Sequence, residues 1–193
     1  MKKVVKLVSI LLALMVFVVG CSADTEKKSE EKNTSKQDGS QYNPILNNDK
    51  SVSYVLNLVY DSLFEFDENY NLQPKLVDSY NISSNNKSIN ITLKDNIKWH
   101  NGQSLTASDV KYTYDLIKKN TDSSYYSLVS NISKISVNGS KNLTITFKDG
   151  YAFSLETLIF PIVSKDKLDN LKSDKLKLAS NNLIGNGAYK IKT

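Results

Sequence analysis

The run from Trp99 to Tyr114, WHNGQSLTASDVKYTY, constrains the fold of this chain more than any other stretch. Trp99 to Gln103 reads as a strand end followed by a tight turn. Thr106 then opens a helix and Asp109 lies three residues on, so the pair makes a capping box. In that motif each side chain satisfies a backbone N–H that the first helical turn leaves free. Val110, Tyr114 and Ile117 follow at helical spacing, which gives the helix one apolar face. Strand, turn and capped helix occur together in many folds.

The N-terminus carries a different kind of signal. Lys2, Lys3 and Lys6 form a basic start, and Leu7 to Val19 is uncharged and apolar. That stretch is too short to span the roughly 30 Å apolar core of a bilayer as a helix. It ends in Val18-Val19-Gly20-Cys21, which resembles a bacterial lipobox, with Cys21 supplying the thiol for a diacylglyceryl group. A short membrane anchor, or a signal peptide with an incidental cysteine, is the alternative. Cys21 is the sole cysteine and stands where lipidation needs one, which favours the lipoprotein reading. A single cysteine forms no internal disulfide, so an exported domain must fold on its core alone. Each buried CH₂ of the lipid adds about 0.8 kcal/mol to anchoring. Asp24 stands away from the cysteine, so no inner-membrane retention signal is evident. Anchoring on the outer face of the cell membrane, in a Gram-positive host, is expected.

Charge gives little direction. The chain has 25 basic and 20 acidic side chains, and without residues 1–20, which hold three lysines and no acid, the net charge falls from +5 to +2. With no basic stripe interleaved with aromatics, no nucleic-acid partner is inferred. All the basic residues are lysine. The chain therefore lacks the guanidinium fork that usually clamps a carboxylate. Asn-x-Ser/Thr triplets such as Asn90-Ile91-Thr92 follow from an Asn-rich composition rather than from glycosylation.

Residues 22–40 contain no apolar side chain larger than Ala and mix both charge signs. They cannot bury enough surface to offset ordering entropy and read as a solvated tether, a charged helix being the weaker alternative. As a coil the tether would reach on the order of 25 Å. The organisation is thus a signal peptide over 1–20, a lipidated cysteine and tether over 21–41, and a folded part over 42–193. In the folded part Asn43-Pro44 marks a turn. Val52, Leu56, Val59 and Leu63 line a helix expected to start at Ser51 or Ser53. Leu63 to Phe66 reads as a strand closed by Asp67-Glu68-Asn69. Leu76–Ile82 and Ser88–Leu93 form a hairpin, with Ile89, Ile91 and Leu93 alternating with Asn90 and Thr92. A second hairpin joins Ile132–Val137 to Leu143–Phe147 through Asn138-Gly139. Phe153–Phe160 is expected to be a short helix, and Ser164 to cap another carrying Leu168 and Leu171. The chain closes on Gly185-Asn186-Gly187-Ala188-Tyr189, a turn entering a strand over Ala188–Lys192. Strand pairs and helices without strict βαβ alternation predict a mixed α/β domain.

Read as a string, Trp99–Tyr114 resembles the WHDGxPLTAxDVxxTY signature of the family 5 extracellular solute-binding proteins, the peptide- and nickel-binding components of ABC importers. Leu72 to Tyr80 is similar to that family's LxPxLAxSW segment, with Tyr80 in the usual Trp position. Ser88 to Trp99 is similar to its YTFxLRxxVKWH stretch, with Lys94 where Arg is common, and Asn186-Gly187-Ala188-Tyr189 to its NGAY turn. The resemblance covers residues 42 to 193. It implies part of the first lobe of a two-lobed periplasmic-binding-protein-like fold, cut short inside that lobe. The apolar strand that leads into the Asn-Pro turn in the family is replaced here by tether-like sequence.

The chain offers little to catalysis or metal binding. His100 is its one histidine. Its place in the Trp99-His100-Asn101-Gly102 turn favours a structural role over a place in a Ser-His-Asp arrangement. One histidine and one lipidated cysteine do not make a metal site, and no glycine-rich phosphate loop appears. No enzyme, no cofactor and no metal are expected. From the resemblance, the loop after Asn-Pro and a Tyr-containing loop after the capped helix face the cleft; here those are Asn47-Asn48-Asp49 and Tyr125-Tyr126. Asn both donates and accepts, which suits a peptide backbone, and Tyr joins an apolar ring to a polar tip. Asp49 is a candidate partner for a peptide's N-terminal ammonium. A plain turn for the Asn run and core packing for the Tyr pair remain the alternatives. The expected function is substrate binding for an ABC importer, oligopeptides first, with a short peptide, the permease subunits and membrane lipid as partners. The rival class is a membrane-anchored interaction lipoprotein with no transported ligand.

Overall fold

The computed structural model describes residues 42–168 and 183–191. The expected signal peptide, Cys21 and tether lie outside the described residues, as do Leu171 and Lys192. Helix α1 (Lys50–Val59) opens on Asp49, whose carboxylate accepts from the backbone N–H of Ser51 at 2.8 Å and of Val52 at 3.4 Å. The helix therefore starts ahead of the expected Ser51 or Ser53. An ionised carboxylate satisfies the free N–H groups and also meets the positive end of the helix dipole, which a serine hydroxyl does not match. Leu56 and Val59 are buried, and Leu63 is buried beyond the helix end.

Strand β1 (Phe64–Phe66) pairs antiparallel with β2 (Leu72–Pro74), a strand the sequence reading did not anticipate. Asp67 organises the turn between them. It accepts from the backbone N–H of Asn69 and Asn71 at 2.9 and 2.8 Å, while Tyr70 takes a φ of 60°. These bonds, Asn71's first, hold the Asp67 carboxyl below the ordinary carboxylate range.

The main sheet has four antiparallel strands in the order β3-β4-β6-β5: β3 (Val77–Ile82), β4 (Ser88–Leu93), β5 (Ile132–Asn138) and β6 (Asn142–Phe147). Both expected hairpins are present, and they join through their second strands, with Ile91 opposite Leu143 and Ile89 opposite Ile145. The period of two sends Ile89, Ile91, Leu93, Leu143, Ile145 and Phe147 into the core. Asn81, Asn90, Thr144 and Ser136 form one outward row across all four strands. Gly139 supplies the φ of 86° that the second hairpin's turn requires.

Helix α2 (Ala107–Lys119) carries the expected capping box and buries Val110, Tyr114 and Ile117. It lies against β5, where the Tyr114 hydroxyl donates to the Ile132 carbonyl at 3.0 Å. Asp109 does more than cap. One carboxylate oxygen accepts from the Thr106 N–H at 2.9 Å, and the other from the Lys165 N–H at 2.9 Å. Asp109 therefore ties α2 to the start of α4 (Lys165–Leu168). Helix α3 is the single turn Tyr126–Val129. The expected helix over Phe153–Phe160 reduces to a 3-10 turn, Glu156–Leu158. There the Thr157 hydroxyl donates to the Ser154 carbonyl at 2.7 Å, a local bond that competes with a continuing helix.

The expected strand at Ala188–Lys192 does not form over its described residues. Gly187 N–H donates to Val59 O at 2.8 Å and Tyr189 N–H to Leu58 O at 3.1 Å. These donors cover carbonyls at the end of α1 that no helical partner reaches, so they are not free to join a ladder.

Candidate functional site

The two loops singled out as ligand-facing come together. The hydroxyl of Ser123 donates to the carbonyl of Ile45 at 2.7 Å, which fixes the turn before α1 against the loop before α3. Asn43 and Asn47 are both buried in that turn. Asn43 Oδ1 accepts from Ile45 N–H at 3.0 Å, the local Asx bond expected of an Asn placed before Pro44.

The individual side chains divide into structural and available groups. Asn47 is committed to the turn: Nδ2 donates to Asp49 O at 2.9 Å and Ser53 Oγ at 2.8 Å, and Oδ1 accepts from Asp49 N–H at 3.0 Å. Asn48 and Asp49 are exposed at the tip, Asp49 with one carboxylate oxygen engaged in capping. Tyr125 and Tyr126 are half-buried, and burial raises the Tyr125 hydroxyl above its ordinary range. The Tyr125 ring packs on the core. The arrangement offers a polar tip (Asn48, Asp49) and a pair of tyrosines on two loops pinned together, suited to hydrogen bonding and apolar contact. Ser123 is the residue that joins the loops. A small hydroxyl residue at the head of a turn is the signal the sequence carries for it.

His100 is held against the Gly185–Gly187 turn. Its backbone N–H donates to Gly185 O at 2.8 Å and its Nε2 lies 2.9 Å from Gly187 O. Asn186 Oδ1 accepts from Asp61 N–H at 3.2 Å. Burial raises the Asp61 carboxyl above the ordinary carboxylate range, opposed by Lys75 at 3.9 Å. Trp99 is buried and closes its turn with an N–H bond to Gln103 O at 2.8 Å. An open depression of about 410 Å³ lies away from the loops, between the starts of α2 and α4, lined among others by Ser104, Ser108, Ser164 and Asp166. Among the described residues no three His, Cys, Asp or Glu side chains converge as a metal cage, and no helix is long and apolar enough to cross a membrane.

The nickel-binding protein NikA of Staphylococcus aureus is 36% identical over 132 residues, covering 68% of this chain and 25% of that protein. The oligopeptide-binding protein AppA of Bacillus subtilis is 23% identical over 210 residues, 99% of this chain and 39% of its own length. The structure of NikZ from Campylobacter jejuni in complex with Ni(L-His) superposes with a TM-score of 0.64 and 33% identity, over 70% of this chain and 28% of that one. The chain thus spans well under half the length of these relatives. The model for bacterial extracellular solute-binding proteins, family 5 Middle, matches residues 71–193, and the chain belongs to that family.

Proposed function

We propose that this chain is the solute-binding part of a lipoprotein that serves an ABC importer, with short peptides as the solute. The observation that supports the reading is the bond from Ser123 to Ile45, which joins the loop that carries Tyr125 and Tyr126 to the turn that leads to Asn48 and Asp49. A peptide's N-terminal ammonium suits the exposed Asp49 carboxylate, its backbone suits Asn48, and its side chains suit the tyrosine rings. Asn47 contributes by holding the turn. Permease subunits are the protein partners. Residues 1–20 are the export signal, Cys21 carries the lipid, 21–41 form the tether, and 42–193 supply part of the first lobe.

Pockets that hold small ligands bury roughly 70–90% of the ligand surface, and two-lobed receptors reach this by closing one lobe on the other. The isolated chain is therefore expected to bind peptide more weakly than micromolar. A chimera in which the rest of the AppA sequence completes this chain is expected to bind at micromolar or tighter. Calorimetry of both against a mixed pool of short peptides, with nickel–histidine as the competing solute, decides the point. A chimera that takes nickel–histidine and ignores peptides overturns the peptide reading. Micromolar binding by the chain alone overturns the incomplete-lobe reading. For export, growing cells fed radioactive palmitate should label the wild type and leave Cys21→Ser unlabelled; equal labelling rejects lipidation.

A further inference from the structure

The turn Trp99–Ser104, the start of α2 and the start of α4 meet around the open depression of about 410 Å³, and each wall is tied to the next. Trp99 N–H closes the turn on Gln103 O, and the Gln103 side chain crosses to α4, where Nε2 donates to Asp166 Oδ2 at 3.1 Å. Asp109 joins the two helix starts through the N–H groups of Thr106 and Lys165. Walls already held in place reduce the ordering cost of binding. Trp99 is 3% and Ser164 4% exposed, and both line the depression. Among the described residues no hydrogen bond engages the Trp99 indole N–H or the Ser164 hydroxyl. The enclosed side-chain atoms that lack a partner are His100 Nδ1 and Asn186 Nδ2, so the indole N–H and this hydroxyl reach open space. The depression is the open space that both residues border.

We propose that this depression binds an uncharged saccharide, at a site separate from the loops of Asn48, Asp49, Tyr125 and Tyr126. Its volume falls within the roughly 300–1,000 Å³ of small-molecule pockets. Charge at its border balances: Asp109 and Asp166 stand against Lys165 and against Lys98, whose ammonium donates to Ser104 Oγ at 2.8 Å. A free ion therefore gains no net attraction there. Among the described residues no aliphatic side chain lines the depression, so the apolar side chains of a peptide find no partner. A sugar hydroxyl both donates and accepts, as do the hydroxyls of Ser104, Ser108 and Ser164, and the indole N–H donates to a sugar oxygen. Asp166 accepts from Gln103 through one oxygen, and its second is a further acceptor. Each such bond replaces a bond to water, so the expected Kd is on the order of millimolar.

Trp99 is the one tryptophan of the chain, so its indole N–H gives a single resonance that reports from the site itself. The full chain, with Cys21→Ser to keep it free of lipid, is titrated with maltose and with N,N′-diacetylchitobiose, and the indole signal is followed by ¹H–¹⁵N NMR. Trialanine and inorganic phosphate are the rival probes. A saturable shift with at least one of the sugars, and none with trialanine or phosphate, is expected. Ser108→Ala and Ser164→Ala should each weaken sugar binding about fivefold, the worth of one hydrogen bond. Asn81→Ala, on the outward sheet face, should leave it unchanged. Circular dichroism checks each variant, and the exposed Ser108 keeps the test valid should the Ser164 variant unfold. An indole signal indifferent to both sugars overturns the proposal, as does sugar binding that neither serine substitution weakens. Saturation by trialanine or by phosphate instead assigns the depression to a peptide or to an anion and equally overturns it. Failure of the AppA chimera to bind peptide would count against the solute reading and leave this site standing.

Discussion

Between Val77 and Phe147 the central strands β4 and β6 send their Ile, Leu and Phe side chains inward and most of their Asn and Thr side chains outward, and each hairpin closes on residues close in sequence. Around α1 the arrangement is different. The helix buries Leu56 and Val59 and leaves Tyr54, Val55 and Leu58 exposed, and its C-terminal end is covered by Gly187 and Tyr189, well over a hundred positions along the chain. The sheet with α2 therefore contains its own reasons for stability, while α1 depends on partners that arrive from elsewhere. This contrast teaches that family membership does not imply uniform stability across the stretch a chain supplies.

The largest expected effect tests the self-contained region. Ile145 is fully buried in β6 opposite Ile89 and Ile135. Ile145→Ala should cost about 4 kcal/mol, from lost transfer free energy and the cavity left behind, read by denaturant unfolding. A loss under about 1 kcal/mol would show that the sheet's core is loosely packed and the contrast overdrawn. Gly185→Ala tests the other region. A Cβ there would collide with the Val59 carbonyl oxygen and Cγ1, and backbone oxygen cannot yield as a flexible side chain does. Its expected cost is about 2–3 kcal/mol, with hydrogen exchange rising in α1 while β4 and β6 stay protected. Equal loss of protection in both would show that the two regions unfold as one unit. Ser123→Ala removes the bond to Ile45 and should cost about 1 kcal/mol. Faster exchange confined to the turn before α1 and the loop before α3 is the expected signature; unchanged exchange there would remove the pinning of the two loops.

The same contrast explains how much could be read from the sequence. Both hairpins and the capped helix were legible because their determinants are local: alternation in Ile89 to Leu93, Asn138-Gly139, Thr106 with Asp109. What escaped depended on distant partners. Ala188 to Lys192 looks like a strand by composition, but whether it pairs is decided by Leu58 and Val59, which claim its N–H groups. β2 went unseen because three residues ending in Pro74 become a strand only against β1. The bond that joins the turn before α1 to the loop of Tyr125 and Tyr126 escaped because Ser123 and Ile45 are far apart in the sequence. Asn47 looked like an available amide because sequence does not show burial. In the structure all its bonds serve the turn.

The smallest effect concerns the β1–β2 ribbon, which connects the two regions through the bonds of Leu63 O with the N–H groups of Lys75 and Leu76 at 2.9 and 3.2 Å. Its turn is organised by Asp67, whose carboxylate accepts from Asn69 and Asn71 and from the Gln73 amide at 3.2 Å. These bonds favour the ionised form, so the folded-state pKa lies below the unfolded one. The sign follows from linkage. The stabilisation is fully present above the ordinary carboxylate range, and it is lost as pH falls through the lowered folded value, where both states are protonated. Asp67→Asn keeps the shape and an acceptor oxygen but removes the charge. Thermal melts of the two proteins across the acid range should show the wild type slightly more stable near neutrality, with the gap closing as pH falls. A gap independent of pH would mean that the turn depends on shape rather than on a carboxylate. The ribbon would then belong with the locally determined sheet, not with the charge-organised connection to α1.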